Sequence, residues 1–553
     1  MSGSRRHLDE LRRQASEIEN DLIDELSAGH IGRREFLRHG TVLGMSAPLL
    51  LATLGGLAYS VAPRSARAAT AGGTVRVAQT TPSGAIDPIT VPDSGGVIML
   101  CQTGEYLALS GGDLRLRPVL AESWKPNKDG SVWTFTLRKG VKFHDGKTMS
   151  ADDVLATIDR LADPKNSSNA LSAFSGVLSK GGTKKVDDYT IEFHLDAPNG
   201  NFPYYVSSDN YNTIVLPADY AGDFEKNFIG TGPFKLEKYT PKVGASFQRN
   251  PDYWGPKALP ERTEFTFYAD IQPQILALQG RLVDVVAQVP VQEGMALLND
   301  PNVSITSLRS SAHTQVHMRT DMAPFTDKRV RRAIALCLDR KKLVNGLFRG
   351  RSDIGNDSPF APVYPSTDTS VGQRDLDIRQ AKQLMADAGF ADGFKVKLTS
   401  EKFIEIPNYC QVIQQAVRAI GVSIDLNIES QDAYYGKAVF GQSDWLDSII
   451  GATDYGHRGV PNVLLAAPLT SDGTWNSAHF KSKEYDGLVS QYVAALDLGS
   501  QRAVAGQIQK LLLDETPIIF SYFYNFLTAT AKNLTGIETT AMAHVFVDRG
   551  VFR

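Results

Sequence analysis

The clearest pattern along the chain is alternation. Trp133, Phe135 and Leu137 alternate with Thr134, Thr136 and Arg138, a period of two that gives a half-buried strand one apolar face. Gly140 permits a turn, Val141 and Phe143 begin a second short strand, and Asp145-Gly146 supplies the next turn. Ser150 and Asp153 have the spacing of a capping box, with Asp where Glu or Gln is usual. A helix is predicted from Ala151, with Val154, Ile158 and Leu161 on one face and its end before Pro164.

The two periods recur to the end of the chain. Strands are predicted at Gly73–Ala78, around Ile191 and Phe193, and at Phe265–Ala269, Val283–Ala287, Phe394–Leu398 and Val422–Ile428. Helices are predicted at Gln274–Gly280, Arg329–Leu338, Ile378–Ala388 (closed by Gly389), Tyr409–Ile420, Tyr485–Leu496 and Arg502–Leu513. The interleaving of strands and helices indicates an α/β chain. Ile518–Tyr524 reads as a strand crossing back toward the first part of the fold.

The first seventy residues have a different character. Arg33-Arg34-Glu35-Phe36-Leu37 is a twin-arginine export signature, with Gly32 where Ser or Thr is commoner. Thr41–Ala62 follows as an uncharged run rich in Gly, Ala and Leu, and Ala66-Arg67-Ala68 fits the small-x-small cleavage rule. The run is long enough for a membrane anchor, but its small residues, its proline and the cleavage site favour a signal removed after Ala68. No cysteine stands at the cleavage point, so a lipid anchor is not expected. The product is expected to be soluble and periplasmic.

Charge and cysteines narrow the function by exclusion. The 553 residues carry a net charge of −3, and without residues 1–68 the balance is 49 Lys and Arg against 53 Asp and Glu. No basic tract suggests nucleic acid. Cys101, Cys337 and Cys410 lack metal spacing. Cys337 lies in an apolar run and reads as a buried small hydrophobe, which leaves a Cys101–Cys410 bridge as the open pairing. Gly140…Gly146-Lys147-Thr148 has five residues between its glycines where a phosphate-binding loop needs four. His313 and His317 fall on a predicted strand, where residues four apart lie ~13 Å from each other, too far for one metal; they are expected at the surface or the core edge. There is no Gly-x-Ser-x-Gly and no His-Glu-x-x-His, so neither catalysis nor a cofactor is expected.

Ala121-Glu122-Ser123-Trp124 before the opening stretch, Gly230-Thr231-Gly232-Pro233-Phe234, Arg249-Asn250-Pro251-Asp252-Tyr253-Trp254 and Phe325-Thr326-Asp327-Lys328-Arg329-Val330-Arg331-Arg332-Ala333-Ile334 form an ordered series. In it the chain resembles the family 5 extracytoplasmic solute-binding proteins of ABC importers, which include dipeptide, oligopeptide and nickel binders. The resemblance covers nearly everything after residue 72 and implies a two-lobed α/β periplasmic-binding-protein fold of type II, a venus flytrap with an extra inserted subdomain. It implies lobe I at 72–117, 229–312 and 519–553, the insert at 118–228 and lobe II at 313–518, after the signal at 1–68. It also implies a monomer that closes a hinge on a small solute or peptide and delivers it to a permease in the inner membrane. The rival readings are an exported enzyme and a ligand sensor for a membrane receptor.

All of those motifs read as scaffold. The candidate ligand residues lie elsewhere. Asp454, in Gly451-Ala452-Thr453-Asp454-Tyr455-Gly456, matches an aspartate that grips the ligand's ammonium in peptide-binding relatives; otherwise it caps its loop. Relatives often carry tryptophan three residues earlier, where this chain has Gly451, and Pro-Asp-Pro after it is replaced by Gly456-His457-Arg458-Gly459-Val460-Pro461. Arg458 suits a ligand carboxylate or a surface acid. Trp445 and Tyr455, with Tyr434, Tyr435 and Trp475, supply flat apolar faces for a pocket or for the core. Tyr106 and Arg319 are candidates on the opposing side.

Overall fold

The opening stretch folds around a single strand. In the computed structural model, which describes residues 72–553 together with Ala15, Asn20, Ile23, Asp24, Leu26 and Phe36, Val132–Leu137 is central in a four-stranded antiparallel sheet. Its neighbours are Ala121–Pro126 and Thr190–His194, with Thr183–Asp187 at the far edge. The alternation has its expected result, because Trp133, Phe135 and Leu137 are buried. Phe135 meets Phe193 edge-on at 5.1 Å and stacks with Trp124 at 5.8 Å, and burying each such ring stabilises by about 1.5–3 kcal/mol. Helix Ala151–Ala162 follows, and the Ser150 N–H donates to Asp153 Oδ2 at 2.7 Å, which ties down the helix start. The second strand expected at Val141 does not form. Only Lys142 bridges to Thr148, because the turn at Asp145-Gly146 leaves too few residues for a ladder.

Two larger sheets carry the rest. The first has seven strands in the order Val303–Leu308, Phe526–Ala531, Val285–Val286, Thr74–Thr80, Arg262–Tyr268, Gly244–Arg249 and Phe234–Thr240. The second has five, in the order Ser423–Glu429, Lys395–Glu401, Ile450–Tyr455, His313–Met318 and Ile518–Phe520. The chain leaves the first sheet at Leu308, enters the second at His313, and returns at Phe526. Ile518–Phe520 pairs with Gln315–His317, so the return expected from 519 begins seven residues later. Its side chains are apolar and buried, and an open edge beside His313–Met318 is where they lose most water contact.

Two of the four scaffold motifs converge on one buried acid. Thr231 Oγ1 and Trp254 Nε1 each donate to Glu105 Oε2 at 2.7 Å, and Tyr253 OH donates to Oε1 at 2.7 Å. Gly230 lies so close to the Thr103 carbonyl that a Cβ would sit 2.0 Å from its oxygen. In the fourth motif Asp327 caps helix Lys328–Leu336, and buried Arg331 donates to the Phe325 and Glu515 carbonyls. All three cysteines are free and buried, so the Cys101–Cys410 bridge does not form. Arg33, Arg34, Leu37, Ala66 and Ala68 lie outside the described residues; Phe36 is helical and buried. Among the described residues no helix is long and apolar enough to cross a membrane.

Candidate ligand site

The site is built where strands end. Lys395–Glu401 and Ile450–Tyr455 run parallel and adjacent, with Ser400 opposite Ala452, so their carboxyl ends emerge at the same edge. That edge is where open α/β sheets bind ligands. The next segment starts helix Ile406–Ala416, with Glu405 at its N-terminus. Three carboxylates meet there: Glu401, Glu405 and Asp454.

Each acid is held by neutral donors. Glu401 Oε1 accepts the Asp454 N–H at 3.0 Å and the Tyr435 hydroxyl at 2.8 Å, and Oε2 accepts Gln431 Nε2 at 2.7 Å. Tyr522 OH donates to Glu405 Oε1 at 2.8 Å, and Tyr524 OH donates to Asp454 Oδ1 at 2.8 Å. Tyr522 and Tyr524 are two apart on one strand, so both hydroxyls reach the same side. Among the described residues none of the three acids makes an ion pair with Lys, Arg or His, and no group of His, Cys, Asp and Glu is arranged to hold a metal. Burial, and then repulsion from Glu405 and Glu401, hold the Asp454 carboxyl well above its usual range, against the Tyr524 bond. Burial likewise raises Glu405. An uncompensated group of this kind favours a proton or a ligand cation.

Trp445, Tyr455 and Trp475 gather on the other face of the sheet, while Tyr435 reaches Glu401. Asp454 is opposite Thr314, whereas Tyr455 is opposite His313 and stacks on it at 5.7 Å. Trp445 donates its indole N–H to Tyr455 OH at 3.3 Å and packs against Tyr435 and Trp475. Both Trp445 and Tyr455 are buried. The position where relatives carry tryptophan is filled by another group: a Cβ on Gly451 would lie 2.4 Å from His317 Cε1. His313 and His317 are fully buried, not at the surface or the core edge. His313 Nδ1 donates to the Ser311 carbonyl at 2.7 Å, and burial pushes the pKa of each ring down to about 4.

The other candidates are dispersed. Arg458 donates its backbone N–H to Ser311 Oγ and Nη1 to the His457 carbonyl, and its guanidinium has no carboxylate partner among the described residues. Tyr106 is interior, its hydroxyl against the Tyr211 carbonyl at 3.2 Å and His544 Nε2 at 3.0 Å. Arg319 pairs with Asp321 at 2.7 Å and donates to the Asp447 carbonyl. It lies beside Ile449, five residues along the strand from Asp454 and so ~16 Å away. The structure does not bring it to the acids. Glu401, Glu405, Tyr522 and Tyr524 escape a reading of the sequence. The signals available there are two acids flanking a strand-to-helix turn, and Tyr-Phe-Tyr alternation.

Two sheets joined by two crossings of the chain define a two-lobed α/β protein. Residues 115–456 match the model of the bacterial extracellular solute-binding proteins, family 5, and the chain belongs to that family. Heme-binding protein A of Haemophilus influenzae is 25% identical over 438 residues, 74% of this chain and 79% of the relative. Di/tripeptide-binding protein 2 of Pseudomonas aeruginosa is 25% identical over 471 residues, 79% and 86% of the two chains. Among solved structures, HbpA2 from Haemophilus parasuis superposes with a TM-score of 0.76 at 21% identity, covering 87% of this chain and all of the other. DppA from Helicobacter pylori, in complex with the peptide STSA, gives 0.69 at 22% identity, covering 87% and 98%. The inserted, two-lobed α/β fold expected from the motifs is thereby the fold of the protein.

Proposed function

We propose that this protein is the periplasmic receptor of an ABC importer, capturing a peptide or another amine-bearing solute and releasing it unchanged to a permease. The observation that carries this reading is the group Glu401, Glu405 and Asp454, three acids at a sheet's carboxyl edge with neutral partners only. A ligand ammonium on Asp454 supplies the missing charge, and a charge-assisted hydrogen bond is strong where water is scarce. Trp445 and Tyr455 shape the wall behind the site, and Arg458 receives a ligand carboxylate. The peptide-binding relatives favour the same ligand class.

The reading includes export by the twin-arginine route, with Arg33, Arg34, Phe36 and Leu37 as its signature and cleavage after Ala68, and action as a monomer. It keeps the sequence-based lobes, with the second return to lobe I beginning at Phe526. Binding energy is spent on hinge closure, not on covalent chemistry. Calorimetry of dipeptides and amino-acid derivatives against wild type and Asp454→Asn tests it. Saturable binding that weakens in the variant is expected; a panel in which nothing binds, or turnover of the bound solute by pure protein, overturns it.

A further inference from the structure

The four-stranded and seven-stranded sheets share one core. Phe135, Phe193 and Phe202 pack in it with Val77 and Phe265, so the turn 199–202 belongs to that half of the molecule. Helices Lys483–Ala494 and Leu498–Glu515 belong to the other half, where Tyr492, Ile508 and Leu512 share a core with Ile518 and Phe520 of the five-stranded sheet. The chain crossings at 308–313 and 520–526 are not the only link between the halves. The turn also touches these helices directly.

Four carboxamides alternate across that seam. Gln501 Nε2 donates to Asn201 Oδ1 at 3.0 Å, Asn201 Nδ2 donates to Asn462 Oδ1 at 2.9 Å, and Asn462 Nδ2 reaches Asn199 Oδ1 at 3.5 Å. All four are buried. The Gly200 N–H adds a bond to the Val493 carbonyl at 2.8 Å, while Trp133 Nε1 holds the Asn199 carbonyl at 3.0 Å from its own side. The backbones approach closely: a Cβ on Gly200 would lie 2.0 Å from the Ala495 oxygen, and one on Gly130 would lie 2.8 Å from Leu496 Cδ2. Gly200 has no positive φ, so its missing side chain serves the seam and not a turn.

The chemistry suits a contact that opens. Wetting an apolar seam costs about 25 cal/mol per Å². Water replaces the partners of a carboxamide, which leaves a net value of about 0.5–1.5 kcal/mol for each hydrogen bond. When dry, the same network has one arrangement, because a half-made one strands buried donors and acceptors. Asn462 stands eight residues after Asp454 and begins helix Asn462–Ala466, so the loop leaving the acid site leads into the seam. Resting on the hinge closure proposed above, we propose that these carboxamides are a latch, made when the two halves close and broken when they part. The turn 199–202 then sets the closed-to-open ratio, and through it the apparent affinity for solute.

The test reads opening without relying on a known solute. Hydrogen exchange by mass spectrometry follows residues 199–202 in the purified full chain, and double electron–electron resonance measures the distance between spin labels at exposed Lys184→Cys and Lys382→Cys, one in each half. The three native cysteines are buried and stay unlabelled. Gly200→Ala and Asn462→Ala are compared with wild type and with Gly84→Ala, whose added methyl meets nothing within 4 Å; melting curves confirm folding, and Asn462→Ala decides alone if Gly200→Ala does not fold. In wild type, residues 199–202 are expected to exchange well before strand Val132–Leu137, because opening the latch needs no unfolding. Exchange should quicken about tenfold in Asn462→Ala, the effect of one buried group left unsatisfied. Both seam variants should shift the label distances toward a longer population, and Gly84→Ala should match wild type. Exchange of 199–202 as slow as that of 132–137, or label distances unchanged by both seam variants, overturns the latch. If the distances still shift when a dipeptide panel is added, the hinge stands without it; if nothing shifts them, both readings fall.

Discussion

Replacing Asp454 by Asn separates stability from binding. The amide keeps the side chain's shape and can still accept the Tyr524 hydroxyl, but it deletes the charge. In the unliganded protein that charge is unfavourable, because burial and then repulsion from Glu405 and Glu401 raise the carboxyl pKa. An acid with a raised folded pKa contributes stability that is complete below the unfolded value, about 4, and is lost as pH rises through the folded value. Wild type should therefore lose stability from pH 4.5 toward pH 8 along a slope that Asp454→Asn lacks. At pH 8 the variant should be the more stable by about 1–2 kcal/mol, a figure kept low because Asp454 is partly exposed and screened. Binding should move the other way. A hydrogen bond to a charged group contributes about 1.5–3 kcal/mol, so affinity for an amine-bearing ligand should fall about 10- to 150-fold. Melting curves across that pH range and calorimetry at pH 7.5 measure the two effects. A variant that binds as wild type does, or that is less stable at pH 8, refutes the assignment of Asp454 as a charge held ready for a cation.

Other consequences can be checked singly. Glu105→Ala strands the donors of Thr231, Tyr253 and Trp254, and at about 1–3 kcal/mol for each unsatisfied group urea denaturation should show a loss of about 3–9 kcal/mol. Burial raises Glu105 to about 7, so its contribution is present below pH 4.5 and lost as pH rises through 7, and Glu105→Gln should flatten that part of the stability profile. Gly451→Ala drives a methyl into His317, which must give up its 2.9 Å contact with the Ser448 carbonyl; a melting curve should report a loss of about 1–3 kcal/mol. Gly459→Ala pushes the loop off Asp209. With the carboxylate buried, a melting curve should report a loss of at least about 1–3 kcal/mol.

The sequence by itself determined the elements and the family. Alternation such as Trp133, Phe135, Leu137 is local physics, since a period-two apolar face buries itself wherever the strand is placed. Helix ends such as Ser150–Asp153 and Gly389 follow from backbone groups satisfied within a few residues. Asp454 was singled out by its contiguous neighbours. Only the tertiary structure decided what surrounds it. Parallel pairing of strands fifty residues apart sets Glu401 beside the Asp454 amide, and the short strand Tyr522–Tyr524 brings both its tyrosines from about seventy residues on. Arg319 shows the converse: a plausible cation by type, it is taken by Asp321 at the far end of its strand. Whether a charge is free or satisfied depends on partners brought together by chain reversal, and spacing along the sequence does not encode that distance.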